Sequence, residues 1–173
     1  MKKWDAIQVI SEFDKQGRFV FTKHDLAKLF PNDHLKTLEE SLNRLVKAGI
    51  LVRACRGIYV NERAQSMDGY LIEHIAKALR RGEYNYVSLE SILSEYGLIS
   101  QIPVSHLTVM TTGRSGVYKT PYGVIEFTHT KRPIMDLLNS MRKVEKRPLR
   151  VATKAAAVRD LNRVGRNTRG TAA

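Results

Sequence analysis

Six side chains in the first third of the chain carry the donors and acceptors that grip or read a nucleic acid: Lys36, Thr37, Glu40, Arg44, Arg53 and Arg56. Lysine and arginine donate to guanine edges or phosphates. Threonine contacts a thymine methyl or a phosphate, and glutamate accepts from cytosine. Lys36, Thr37, Glu40 and Arg44, with Lys47, fall opposite an apolar stripe of Leu35, Leu38, Leu42, Leu45 and Val46, the pattern of an amphipathic helix. Arg53 and Arg56 sit at the tip of a hairpin built on Cys55-Arg56-Gly57. A helix in the major groove and a hairpin on phosphates or in the minor groove make double-stranded DNA the expected partner.

The elements that must hold these residues are legible between Thr22 and Asn61. Thr22 can cap a helix, with Asp25 completing a capping box. Leu26, Leu29 and Phe30 recur at helical spacing, and Pro31 ends the run by removing a donor and biasing Phe30 away from helical angles. Asn32 or Asp33 can cap the second helix, and Gly49 can end it. Ile50–Ala54 and Ile58–Val60 are β-prone. Before them, Trp4–Lys15 reads as a core helix on Trp4, Ile7, Val9, Ile10 and Phe13, and Phe19–Phe21 as an extended piece able to pair with the hairpin. The order is that of a winged helix-turn-helix. A helical hairpin that merely packs would use similar pieces, but a basic turn joined directly to the second helix favours DNA.

The expected fold class is α+β: an N-terminal winged helix-turn-helix, residues 1–62, then a small α/β domain, residues 70–173, with an antiparallel sheet and a basic C-terminal helix. The polar stretch 62–69 is the expected linker, with Ser66 as a cap for the next helix. That helix is Tyr70–Arg81, on Leu71, Ile72, Ile75 and Leu79. Ser88–Tyr96 is another. Leu107–Thr112, Val117–Lys119 and Val124–Thr128 read as strands of an antiparallel meander, separated by turns at Gly113–Gly116 and Thr120–Gly123. Ile134–Met141 is amphipathic, and Pro148 interrupts the chain after it. The tail carries Arg159, Arg163 and Arg166 on an alanine-rich helix. It can grip DNA backbone, face an acidic protein, or pack through Val151, Ala155, Val158 and Leu161 with a solvated basic face.

The 173 residues carry a net charge of +12, which favours polyanionic partners, nucleic acid first. Hydrophobic content of 43% supports a packed core. No apolar run is long enough to span a bilayer, and Asp5, Gln8 and Glu12 break any signal-peptide core, so the expected setting is the cytoplasm. Catalytic chemistry cannot be assembled, and neither a cofactor nor a metal is expected. The histidines His24, His34, His74, His106 and His129 lack ligand spacing, although His106 and His129 fall near strand ends where they could meet across a sheet. The lone Cys55 excludes an intramolecular disulfide, and Arg53 and Arg56 beside it should lower its thiolate pKa. Gly113-Arg114-Ser115-Gly116 reads as a turn, because no lysine-serine pair or helix follows it. Glu90 and Glu95 are expected to face solvent.

The order of these segments resembles the AbiEi antitoxins. The resemblance rests on LNRLVKAGIL and RGIYV in the first part, then YLIEHIAKAL, YVSLESIL, LTVMTTGRSG, YGVIEFTHTKRP and VATKAAAVRDLNRVGRNT. It covers nearly the whole chain through degenerate motifs. It implies a non-enzymatic, bifunctional protein: an N-terminal domain that represses its own operon at inverted repeats, and a C-terminal domain that counters a cognate AbiEii-like, nucleotidyltransferase-like toxin. It also implies a monomer in solution able to assemble cooperatively on DNA. Arg159, Arg163 and Arg166 are then the residues expected to serve antitoxicity. The competing reading is a stand-alone winged-helix regulator whose C-terminal domain binds a ligand or dimerises.

Overall fold

A computed structural model of the chain describes residues 2–100 and 105–165. It divides into two compact units, Met1–Leu71 and Ile72–Ala173. Both mix helix and strand, so the fold class is α+β, with seven helices and two sheets among the described residues.

The first unit runs α1 (Lys3–Lys15), β1 (Val20–Thr22), α2 (Lys23–Leu29), α3 (Leu35–Lys47), β2 (Val52–Cys55) and β3 (Ile58–Val60). The strands pair antiparallel in the order β1-β3-β2, so the extended piece after α1 does pair with the hairpin. The Thr22 cap is reciprocal. Its hydroxyl accepts from the Asp25 amide and the Asp25 carboxylate accepts from the Thr22 amide, each at 2.9 Å. Asp25 is buried and also pairs with Arg18 at 3.1 Å, which fixes the corner between β1 and α2.

Three details of the helices differ from expectation. The cap of α3 is His34, without a side-chain hydrogen bond, because Pro31–Asp33 closes a turn in which the Asp33 amide donates to the Phe30 carbonyl. Leu35 is 71% exposed, whereas Leu38, Leu42 and Leu45 are at most 4% exposed. A side chain at the first helical position leans off the helix end, so the apolar stripe starts one turn later. Trp4 is likewise 75% exposed, and α1 packs through Ala6 and Ile10, with Ile7 and Phe13 half-buried. Those residues meet Phe21, Leu26, Leu38, Leu42, Leu45, Ile50, Leu51 and Tyr59 in one core. Gly49 ends α3 at φ +73°, a conformation that costs a glycine little.

Residues 62–69 are no free linker. The Asp14 carboxylate at the end of α1 accepts from the Gln65 and Ser66 amides, each at 2.9 Å, and from the Ser66 hydroxyl at 2.6 Å. Ser66 is therefore spent on Asp14 rather than on a helix cap. The three bonds, that of the Ser66 hydroxyl foremost, hold the Asp14 carboxyl below its ordinary pKa.

The second unit runs α4 (Leu71–Leu79), β4 (Asn85–Val87), α5 (Leu89–Glu95), β5 (His106–Thr111), β6 (Gly116–Thr120), β7 (Gly123–His129), α6 (Ile134–Ser140), β8 (Met141–Arg142), β9 (Arg150–Ala152) and α7 (Lys154–Arg163). Its sheet has the order β6-β7-β5-β4-β9-β8. The antiparallel meander is thus corrected to a mixed sheet: β7 inserts between β5 and β6, parallel to β5 and antiparallel to β6. Burial explains the order. Ile125 and Phe127 of β7 are buried, while β6 alternates half-buried and exposed residues and takes the edge. The β4–β9 pair is also parallel. Thr153 caps α7 by accepting from the Ala156 amide, so the residues before it are strand and not helix.

Glu73 of α4 is buried against Arg147, whose Nε lies 3.0 Å from both carboxylate oxygens. The other edge of the same guanidinium makes two 2.9 Å bonds to Glu95 of α5. Glu95, its side chain 49% exposed, reaches solvent as expected and is also one arm of a clamp on Arg147.

Candidate nucleic-acid interface

At about 100° per residue, the exposed side chains of α3 spread over half its circumference. Lys36, Glu40, Asn43 and Lys47 form the middle of that face. Thr37 and Arg44 lie on the flank towards α1, and Glu39 lies on the flank towards the hairpin. The sequence-predicted residues Lys36, Thr37, Glu40, Arg44, Arg53 and Arg56 are all exposed.

They do not form one cluster. Arg53 and Arg56 line a polar cleft of about 490 Å³ with Lys23, Glu39, Asn43, Gly57 and Tyr59. The Lys23 amide donates to the Gly57 carbonyl at 2.8 Å, which docks the start of α2 on the hairpin turn. Arg53 stands opposite Tyr59 across the β2–β3 pair, and a bulge between Arg53 and Cys55 turns the strand there. Arg44 lies elsewhere. Its guanidinium donates to Ser41 Oγ at 3.2 Å and borders a more apolar hollow of about 260 Å³ with Lys3, Leu45 and Ala48.

Lys23, Glu39 and Asn43 escaped the sequence reading. Glu39 and Asn43 are four apart on α3, hence neighbours on one flank, and Lys23 directly follows the Thr22 cap. Those spacings were available, but the meeting of Lys23 with the hairpin depends on the β1–β3 pairing. Lys23 and Glu39 form an ion pair across the cleft. The hydrogen bond and charge of Lys23, aided by Arg53, hold the Glu39 carboxyl below the usual glutamate range. The cleft is thus three cations around one anion, a net positive groove beside the α3 face.

Cys55 is half-buried, and burial pushes its thiol up while Arg53 opposes. The expected lowering of its pKa is corrected: desolvation of the thiolate outweighs the neighbouring charge. His106 and His129 do not meet. In the parallel register His106 faces Val124 and His129 faces Thr111, at opposite ends of the strand pair. His106 Nε2 lies 3.4 Å from Glu126, and His129 Nδ1 lies 2.6 Å from the Gly113 carbonyl. Among the described residues no three His, Cys, Asp or Glu side chains come together as metal ligands. No described helix is long and apolar enough to cross a membrane.

In the tail, Arg163 is exposed and Arg166 lies outside the described residues. Arg159 is half-buried, donates to Ser140 Oγ at 2.9 Å, and lies 3.6 Å from Asp160. Asp160 is 1% exposed and accepts from the Tyr86 and Ser88 hydroxyls, each at 2.9 Å. Burial first, and then the Asp160 charge, push the Tyr86 phenol well above its ordinary pKa. The helix packs through Ala156, Ala157, Asp160 and Leu161, one face over from the expected stripe. Its Asp160 is an interior hydrogen-bond hub, and Arg159 helps to hold it.

No protein-family model matches the chain, and no curated protein matches it. Among solved structures it is similar to the crystal structure of the RV2827C protein from Mycobacterium tuberculosis, with a TM-score of 0.52 and 16% identity. The match covers 100% of this chain and 57% of that one, so the chain spans just over half the length of that structure. At this identity the likeness concerns fold alone.

Proposed function

We propose that the N-terminal unit is a winged helix-turn-helix that binds double-stranded DNA, with α3 in the major groove and the β2–β3 hairpin as the wing. The convergence of Lys23, Arg53 and Arg56 on one cleft beside the exposed face of α3 carries this reading. Three cations at that spacing suit the phosphates flanking a groove. Lys36, Thr37, Glu40 and Arg44 then face base edges. Lys23 joins the wing arginines on phosphate. The net charge of +12 supplies long-range attraction to the duplex.

The resemblance to AbiEi antitoxins supports a fuller reading. The chain represses its own operon through inverted repeats, and its C-terminal unit counters a nucleotidyltransferase-like toxin in the cytoplasm. The test is growth rescue, with a nucleotidyltransferase-like toxin candidate from the neighbouring reading frame and antitoxin variants expressed from a heterologous promoter. Lys36→Ala with Arg53→Ala and Arg56→Ala should lose repression and keep rescue. Loss of rescue at equal protein level would show that the two activities are not separable and overturn the division of labour.

A further inference from the structure

The turn after β5 covers an unusual cation. Arg80, the residue following α4, is 6% exposed, yet among the described residues its guanidinium is paired with no carboxylate. Its Nε donates to the Arg114 carbonyl at 3.0 Å, and its Nη1 donates to the Leu79 carbonyl at 3.2 Å and to the Tyr118 hydroxyl at 2.9 Å. Two aromatic faces enclose it, with the guanidinium carbon 4.4 Å from the Phe127 centroid and 5.1 Å from that of Tyr118. Its Nη2 is buried with no acceptor at all. An unsatisfied buried donor on a charged group is costly.

A second guanidinium converges on the same phenol. Arg114, exposed on the turn, adds its charge near the Tyr118 oxygen. Burial disfavours the Tyr118 phenolate, but the two arginines outweigh it and hold the phenol below its ordinary pKa. Glu83, which borders the turn at Gly113, accepts from the Thr112 hydroxyl at 2.6 Å. Two like charges thus act on one neutral oxygen, and among the described residues Arg80 has no carboxylate counter-ion.

The glycines of the turn make room above this pair. A Cβ on Gly116 would lie 3.3 Å from Arg80 Nη2, and one on Gly113 would lie 3.1 Å from Arg80 Cδ and 3.0 Å from Glu83 Cγ. The missing side chain at Gly116 leaves room beside the unpartnered Nη2, next to the Tyr118 ring. Arg114 stands at the exposed side of the turn.

We propose that the Gly113–Gly116 turn, with Arg80, Arg114 and Tyr118, is a binding site for a phosphate-type oxyanion. The anion supplies the acceptor that Nη2 lacks and the negative charge that the two arginines lack, while the Tyr118 hydroxyl donates a further bond. Arginine suits this task because its fork of donors matches the oxygens of a phosphate. A dianionic monoester matches two guanidiniums in charge better than a monoanionic diester does. The site is separate from the proposed DNA-reading cleft and lies in the other unit.

The experiment is a titration of the full chain followed by amide and arginine Nε–H resonances. Three probes are compared: inorganic phosphate, a nucleoside 5′-monophosphate, and a short oligonucleotide without terminal phosphates. We expect saturable shifts at Gly113, Gly116 and Arg80 Nε with the first two probes. The oligonucleotide should act more weakly there, and stronger action by it would overturn the assignment to a dianion. Phosphate should also raise the ionisation midpoint of one tyrosine, a change absent in Tyr118→Phe. Arg114→Gln, a change at an exposed side chain, should weaken binding by about fivefold or more. Arg80→Lys serves as the buried variant that keeps the charge, and it should weaken binding while the unit stays folded. Unshifted glycine amides with every probe, or phosphate affinity unchanged in Arg114→Gln, would overturn the site.

Discussion

Lys23 at the start of α2 and Glu39 on the flank of α3 form an ion pair across the cleft that Arg53 and Arg56 also line. The pair ties the first helix of the motif to the second through side chains that water still reaches. In the proposed DNA complex, Glu39 competes with phosphate for Lys23. On that proposal Glu39 restrains binding rather than contacting DNA.

Replacing Glu39 with Gln removes that restraint. Affinity for any duplex should rise by about two- to fivefold at low salt, and the salt dependence should steepen by about one released counter-ion. Anisotropy titrations on operator and unrelated DNA check this. An equal loss on both would mean that Glu39 positions Lys23 instead of restraining it.

The connection to the second unit gives a pH prediction. Asp14 is held below the ordinary carboxylate pKa by the Ser66 hydroxyl and the Ser66 and Gln65 amides. Its folded pKa is depressed, so its contribution is present above the unfolded value and fades as pH falls through the folded one. Exchange of the Gln65 and Ser66 amides should therefore show extra opening below the usual aspartate range, and Asp14→Asn should show it at neutral pH. A fragment of residues 1–71 should fold, whereas one ending at residue 62 should expose the Asp14 side of α1. Identical exchange in wild type and Asp14→Asn would remove the anchoring role.

Arg147 supplies the strongest stability prediction. Its side chain and that of Glu73 are each 7% exposed, and the same guanidinium also holds Glu95. Burial raises the Glu73 pKa against the pull of Arg147. Arg147→Ala would leave that acid buried and unpaired, at a cost of about 3–5 kcal/mol. Arg147→Ala combined with Glu73→Leu should recover most of the loss. Chemical denaturation measures both, and a loss below about 1 kcal/mol in the single variant would contradict the clamp.

Periodicity reached much of the first unit, because Leu38, Leu42 and Leu45 repeat at helical spacing and Thr22, Pro31 and Gly49 punctuate the helices. It failed where neighbours are chosen by burial. The strands β4, β8 and β9 have two or three residues each, too few to show alternation. The place of β7 beside β5 follows from which strand buries more apolar surface, not from chain order. The candidate interface was visible one residue at a time. Arg53 and Arg56 stood out as charges at a turn, but Lys23 joins them only once β1 pairs with β3. Arg159 looked like a free surface cation because nothing local marks Asp160 as interior.

The most direct test is a titration of operator duplex at several salt concentrations with wild type and with Lys23, Arg53 and Arg56 changed together to Ala. All three side chains reach water at the cleft, so the variant should stay folded, which circular dichroism checks. We expect it to lose affinity for every sequence alike, with a slope of log affinity against log salt shallower by about 2–3. Arg44→Ala, on the opposite flank of α3, should instead cost about 1–3 kcal/mol on the operator and little on unrelated DNA. Wild-type affinity and slope in the folded triple variant would contradict DNA binding through this cleft.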